Sequence, residues 1–110
     1  MTGTRREAQV MVSLDRGEVW IRDEDSYLTP GELRILRMLK RREGRPVPAE
    51  ILAAQVCDDP AGYGCASPKH HISSLRRKLR HSEERPVIAT RRGLGYYLVE
   101  GSLSFSEEGD

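Results

Sequence analysis

The chain has 110 residues, 37% hydrophobic and 32% charged, with a formal net charge of +1. That length makes one domain with a modest core and a heavily solvated surface. No apolar run reaches the roughly 20 residues of a membrane span. The opening Met1-Thr-Gly-Thr-Arg-Arg-Glu lacks the apolar stretch of a secretory signal. Two cysteines, Cys57 and Cys65, are too few for a disulfide scaffold, so a reducing cytoplasm is the expected location.

Residues 1–7 read as a flexible N-terminus. Gln9–Asp15 and Glu18–Arg22 alternate apolar and polar residues around Asp15-Arg16-Gly17, which predicts a hairpin. Asp23-Glu-Asp25 reads as a second turn and Ser26-Tyr-Leu28 as a short third strand of a small antiparallel sheet. Trp20 reads as packing for that sheet. Thr29-Pro30-Gly31-Glu32 is a helix start: Thr29 can cap, Pro30 fits the first helical position and Glu32 completes a capping box. Leu33, Ile35, Leu36, Met38 and Leu39 supply the buried face, with Arg34, Arg37, Lys40 and Arg41 opposite and Gly44 as the stop. A second helix opens at Pro48-Ala-Glu50 and buries Ile51, Leu52 and Val56. Residues 58–66, with Pro60, Gly62 and Gly64, read as a loop.

Ser67-Pro68 opens a third helix over 67–81 as cap and first position. Its core stripe is Ile72, Leu75 and Leu79. At about 100° per residue the opposite face carries His70, Ser73, Ser74, Arg77 and His81, with Lys69, Arg76, Arg80, His71 and Lys78 flanking it. Pro86–Thr90 and Tyr96–Val99 then form a hairpin around Arg91-Arg-Gly-Leu-Gly95, and only one of Tyr96 and Tyr97 can face the core. Residues 101–110 offer little to bury and read as a frayed acidic tail.

Charge is segregated along this order. Residues 7–32 hold seven acids against two arginines, a balance of −5, and residues 69–92 hold eight bases against two acids, a balance of +6. The positive pole thus coincides with the third helix and the last hairpin, and local field rather than net charge decides where a polyanion docks. A basic helix followed by an arginine-tipped hairpin is the arrangement of a winged helix, with the helix in the major groove of DNA and the hairpin at a minor groove. The expected fold class is α+β: a winged helix-turn-helix with a small N-terminal antiparallel sheet, three helices and a C-terminal hairpin wing, over residues 8–100.

Leu28-Thr-Pro-x-Glu32, His71-Ile-x-x-Leu-Arg-Arg-Lys-Leu79 and Thr90-x-Arg-Gly-x-Gly-Tyr96, in that order and spacing, resemble the DNA-binding domain of OmpR/PhoB-type bacterial response regulators. The resemblance covers roughly residues 8–99. It implies that the third helix is the recognition helix and that Arg92 is the minor-groove arginine. It also implies that Thr90, His71 and Arg76 meet the DNA backbone, and that loop 58–66 is the segment facing RNA polymerase in activators. The candidate DNA-binding residues are Ser67, Lys69, His70, His71, Ser73, Ser74, Arg76, Arg77, Arg80, Thr90, Arg91 and Arg92.

Three departures shape the expectation. Family members lead with a phospho-acceptor receiver domain, whereas this chain opens on the sheet. A stand-alone regulator is therefore expected, unless the chain is a segment of a longer protein. Cys57 replaces the aromatic residue usual before the loop. Ser73 and Ser74 stand where base-reading arginine is common, and serine is short and accepts either hydrogen-bond sense. Discrimination should then lean on Lys69, His70, Arg77, the wing and DNA shape.

Cys57-x7-Cys65-x4-His70-His71 lacks the short Cys-x2-4-Cys spacing of structural zinc sites, so no metal is expected. The cysteines read as a small buried side chain and a loop residue. No phosphate-cradling loop or nucleophile–base pair occurs, so no cofactor or enzymatic activity is expected. The expected function is sequence-specific binding of double-stranded DNA in transcription regulation, as a homodimer on repeated half-sites. The alternative is a protein-interaction module acting on RNA polymerase or another regulator.

Overall fold

The computed structural model describes residues 10–22, 24–56 and 68–106. In chain order the elements are β1 (Val10–Ser13), β2 (Glu18–Ile21), β3 (Glu24–Tyr27), α1 (Pro30–Arg41), α2 (Ala49–Val56), α3 (Lys69–Lys78), β4 (Ile88–Arg91), β5 (Gly95–Leu98) and β6 (Ser104–Phe105). This is the expected α+β order of sheet, three helices and hairpin. The N-terminal strands form a sheet in the order β3-β2-β1-β6, and β4 pairs with β5 in a separate hairpin.

The first hairpin forms where alternation predicts it, with Val10 opposite Ile21 and Ser13 opposite Glu18. β3 starts earlier than expected: Glu24 already pairs with Ile21 and Asp25 with Trp20. Both acids are exposed on an edge strand, where backbone pairing requires no apolar side chain. The turn falls instead on Arg22, at φ 58°.

α1 begins on the capping box: Thr29 Oγ1 accepts from the Glu32 amide at 3.1 Å, and Glu32 Oε1 accepts from the Thr29 amide at 3.0 Å. Ile35, Leu36 and Leu39 are fully buried, with Leu33 and Met38 at the margins. In α2 the buried residues are Leu52 and Ala53, whereas Ile51 is 39% exposed. An eight-residue helix turns only one narrow face to α1, and Ile51 lies off it.

α3 is shorter than 67–81. Pro68 occupies the cap position without a side-chain cap bond, and Ser67 lies outside the described residues. At the other end Arg80 adopts φ 61°. The His81 amide donates to the Arg76 carbonyl at 2.9 Å and the Arg80 amide to that of Arg77 at 3.2 Å. These are the paired bonds of a Schellman end, so Arg80 and His81 leave the helix.

The tail also departs from expectation. β6 pairs parallel to β1, and Leu103 and Phe105 are 8% exposed. Two apolar side chains at strand spacing are enough to pin this segment against the sheet, at roughly 1.5–3 kcal/mol for each fully buried side chain. Residues 1–9, loop 58–66 with Cys57 and Cys65, and residues 107–110 lie outside the described residues. Ile72 and Leu75 of α3 and Leu79 at its C-cap join Ile88, Leu98 and the α1 residues in one core, which seats α3 and the hairpin on a common base.

Candidate nucleic-acid interface

α3 buries its apolar stripe and turns Lys69, His70, Ser73 and Arg77 to solvent; His71, Ser74 and Arg76 are half-buried at its margins. Arg77 Nη2 lies 3.4 Å from Ser74 Oγ, a long contact that leaves the guanidinium at the surface. The His70 and His71 rings meet edge to face at 5.8 Å. The His71 imidazole packs over Gly31 near the start of α1: a Cβ on Gly31 would lie 2.9 Å from its Cε1. The imidazole thus occupies the space a side chain at position 31 would take.

In the hairpin, Thr90 pairs with Tyr96 and Arg91 with Gly95, so the turn is Arg92-Gly93-Leu94. Thr90, Arg91 and Arg92 are all exposed. Arg92 alone of the two arginines belongs to the turn itself. The hairpin is anchored from behind by Val47, whose amide and carbonyl bond those of Tyr96 at 2.7 and 3.1 Å. Val47 has no sequence signal of its own, because one bridging residue has no periodicity to reveal it.

Arg76 ties the two halves together. Its Nε donates to the Ile88 carbonyl at 2.9 Å and its Nη2 to Thr90 Oγ1 at 2.9 Å, while the guanidinium lies 5.8 Å from the centre of the Tyr96 ring. An arginine has five N–H donors, so an outside anion can still share this group. Arg76 is thus first a brace between α3 and the hairpin. Arg80 stands off the helix and pairs with Glu24 of β3 at 3.1 Å, a mostly exposed contact worth little.

Lys78 points inward. Its Nζ meets Glu32 Oε1 at 2.7 Å and the Tyr27 carbonyl at 2.9 Å. Burial of Glu32 acts to raise its pKa, but hydrogen bonds from Lys78, Ser74 and the Thr29 amide outweigh it and hold the carboxyl below the usual range. A 3%-exposed carboxylate thus stays charged and fastens α3 to the start of α1. His81, expected on the exposed helix face, is half-buried; its Nδ1 accepts from the amides of Val87 and Ile88.

The geometry is therefore an outward basic helix face and an arginine-bearing hairpin, braced into one body, in an α+β fold. Residues 23–98 match the family described as "Transcriptional regulatory protein, C terminal". The chain belongs to this family. The match agrees with the OmpR/PhoB-type resemblance of the three motifs. Among relatives, the alkaline phosphatase synthesis transcriptional regulatory protein PhoP of Bacillus subtilis is 32% identical over 91 residues, which are 82% of this chain and 38% of that protein. The chain spans about two fifths of the length of the curated relatives it matches. The DNA-binding domain of CpxR from E. coli is 28% identical with a TM-score of 0.61, covering 89% of this chain and 97% of that one. The Klebsiella pneumoniae RstA DNA-binding domain, solved in complex with the RstA box, shares the fold at a TM-score of 0.57 and 24% identity, over 74% and 82% of the two chains. Among the described residues no helix is long and apolar enough to cross a membrane, and no group of three or more potential metal ligands occurs.

Proposed function

We propose that this domain binds double-stranded DNA sequence-specifically and regulates transcription in the cytoplasm of a bacterium or for a bacterial virus. In this reading α3 is the recognition helix, with Lys69, His70, Ser73 and Arg77 toward the major groove. His71, Arg76 and Thr90 meet phosphates, and Arg92, with Arg91 beside it, enters the minor groove. The observation that carries the reading is the Arg76 brace: it joins the basic helix and the hairpin, so both can engage adjacent grooves without independent ordering. Ser67, outside the described residues, and Ser74 are further candidate contacts, and Arg80 lies beyond the helix end as a further candidate phosphate contact. The membership in a family of transcriptional regulators supports the class of function.

Two partners belong to the same proposal. A second copy would bind a repeated half-site, an arrangement supported by charge: exposed Glu24 and Asp25 lie on the edge strand β3, while exposed Arg41, at the end of α1, is followed by exposed Arg42 and Arg45. RNA polymerase would meet loop 58–66 when the domain activates.

The test is selection of duplexes from a random pool by the purified protein at two salt concentrations. Salt-sensitive retention that enriches a repeated motif is expected. Absence of retention at low salt would overturn the reading in favour of an interaction module.

A further inference from the structure

The Schellman end of α3 hands the chain to His81, and a tight turn then returns it onto the same histidine. Within that turn the Ser82 amide donates to the Arg85 carbonyl at 3.1 Å, and Ser82 Oγ accepts from the Arg85 amide at 3.0 Å. Val87 and Ile88, which follow, are 3% and 0% exposed. Their amides have one acceptor between them: His81 Nδ1 takes both, at 3.0 Å from Val87 and 3.3 Å from Ile88. The Ile88 carbonyl is held from the other side by Arg76 Nε. Both polar groups of Ile88, the first residue of the hairpin, are thus fixed by residues at the end of α3.

We infer that His81 is a positioning residue for DNA binding, a latch whose neutral imidazole fastens the start of the wing to the end of the recognition helix and whose protonation releases it. The inference rests on the DNA-binding reading and adds a regulatory input to it. The chemistry is that of a lone pair. An imidazole accepts at Nδ1 only when its proton sits on Nε2. The imidazolium carries N–H at both nitrogens, so protonation would set an Nδ1–H against two backbone N–H donors. The latch must then open, leaving the amides of two buried residues without their acceptor.

Arg76 of α3 is the charged group that acts on the ring, and being of like sign it opposes the imidazolium. Glu83, Glu84 and Arg85 of the turn are exposed, and Arg80 is paired with Glu24. Thr90 and Tyr96 of the hairpin are held by Arg76 rather than by the histidine. Burial, and then Arg76, push the His81 pKa below the ordinary 6.5. The latch is therefore closed at neutral pH. It opens as pH falls through that lowered pKa.

The test compares wild type, His81→Asn and His81→Ala for affinity to a selected duplex between about pH 8 and 5, the interval where an ordinary or lowered histidine titrates. Asparagine places an oxygen acceptor near the Nδ1 position but does not titrate. His70 and His71 are present in all three proteins, so the ratio of wild-type to His81→Asn dissociation constants isolates His81. That ratio should stay near one at neutral pH and rise by about tenfold at the acid end, the effect of one lost acceptor. His81→Ala should bind weakly throughout. In the free protein, the amide resonances of Val87 and Ile88 should move with the His81 ring resonance, at one midpoint below 6.5. Parallel affinity profiles for wild type and His81→Asn, or amides that ignore the ring's titration, would overturn the latch. A protein that binds no DNA would overturn the functional reading instead, and the amide titration would still decide the latch.

Discussion

Gly95 sits where the wing's return strand passes the 44–48 segment, at φ 140°, and a Cβ there would fall inside the Val47 carbonyl. Both the dihedral and the space demand glycine. Gly95→Ala is expected to cost of order 2 kcal/mol or more, read from the denaturation midpoint at unchanged slope. Gly93, at φ 81° with nothing near its missing Cβ, should cost only about 1 kcal/mol on the same change. Equal costs would show that the Val47 contact is unimportant. The Glu32–Lys78 pair makes a second prediction at this scale. Lys78→Met should destabilise by about 2 kcal/mol, because it strands a buried carboxylate, and adding Glu32→Gln should recover part of the loss. Glu32 has a lowered folded pKa, so its contribution is present above the ordinary 4.5 and is lost as pH falls through the folded value. The thermal unfolding temperature of wild type should fall in that acid window, and Glu32→Gln should flatten the trend. The capping role of Glu32 was legible, because Thr29 and Glu32 stand three residues apart. Its pairing with Lys78, 46 residues away, was not, since spacing reports only local partners.

α3 shows what punctuation in a sequence does and does not mark. Pro68 and the Ile72, Leu75, Leu79 stripe announced the helix, its direction and its buried side. Its end was hidden because the left-handed residue is Arg80 rather than the glycine that usually signals such a stop. Arg80→Gly should relieve about 1 kcal/mol of backbone strain and lose only the exposed Glu24 contact, so thermal stability should rise slightly. DNA affinity should fall in the same variant if Arg80 meets a phosphate. A loss of stability would mean that the Glu24 pair outweighs the strain. β6 was missed for a different reason. The acidic, glycine-bearing composition of the tail masked Leu103 and Phe105, two buried side chains at strand spacing. Average composition hides a short pattern. The wing was legible throughout, since its alternation, its glycines and its arginines all point to one hairpin.

Across the whole molecule, the segregation of charge marks residues 69–92 as the basic part of the chain. Bases cluster in residues 69–92, and the structure turns Lys69, His70, Ser73, Arg77, Thr90, Arg91 and Arg92 outward. What sequence could not separate was which bases face outward and which brace the fold. Arg76 and Lys78 carry the same charge as Arg77, yet one bridges helix to wing and the other, half-buried, pairs with buried Glu32. That division follows from packing across elements. It also makes the account testable, because helix and wing are expected to act on DNA as a single body. The most direct measurement is the affinity of wild type, Arg77→Ala and Arg92→Ala for one selected duplex across a salt series. Each variant should bind more weakly, and loss of an arginine that meets a phosphate should lower the salt slope by about 0.9. Unchanged affinity in both variants would contradict it.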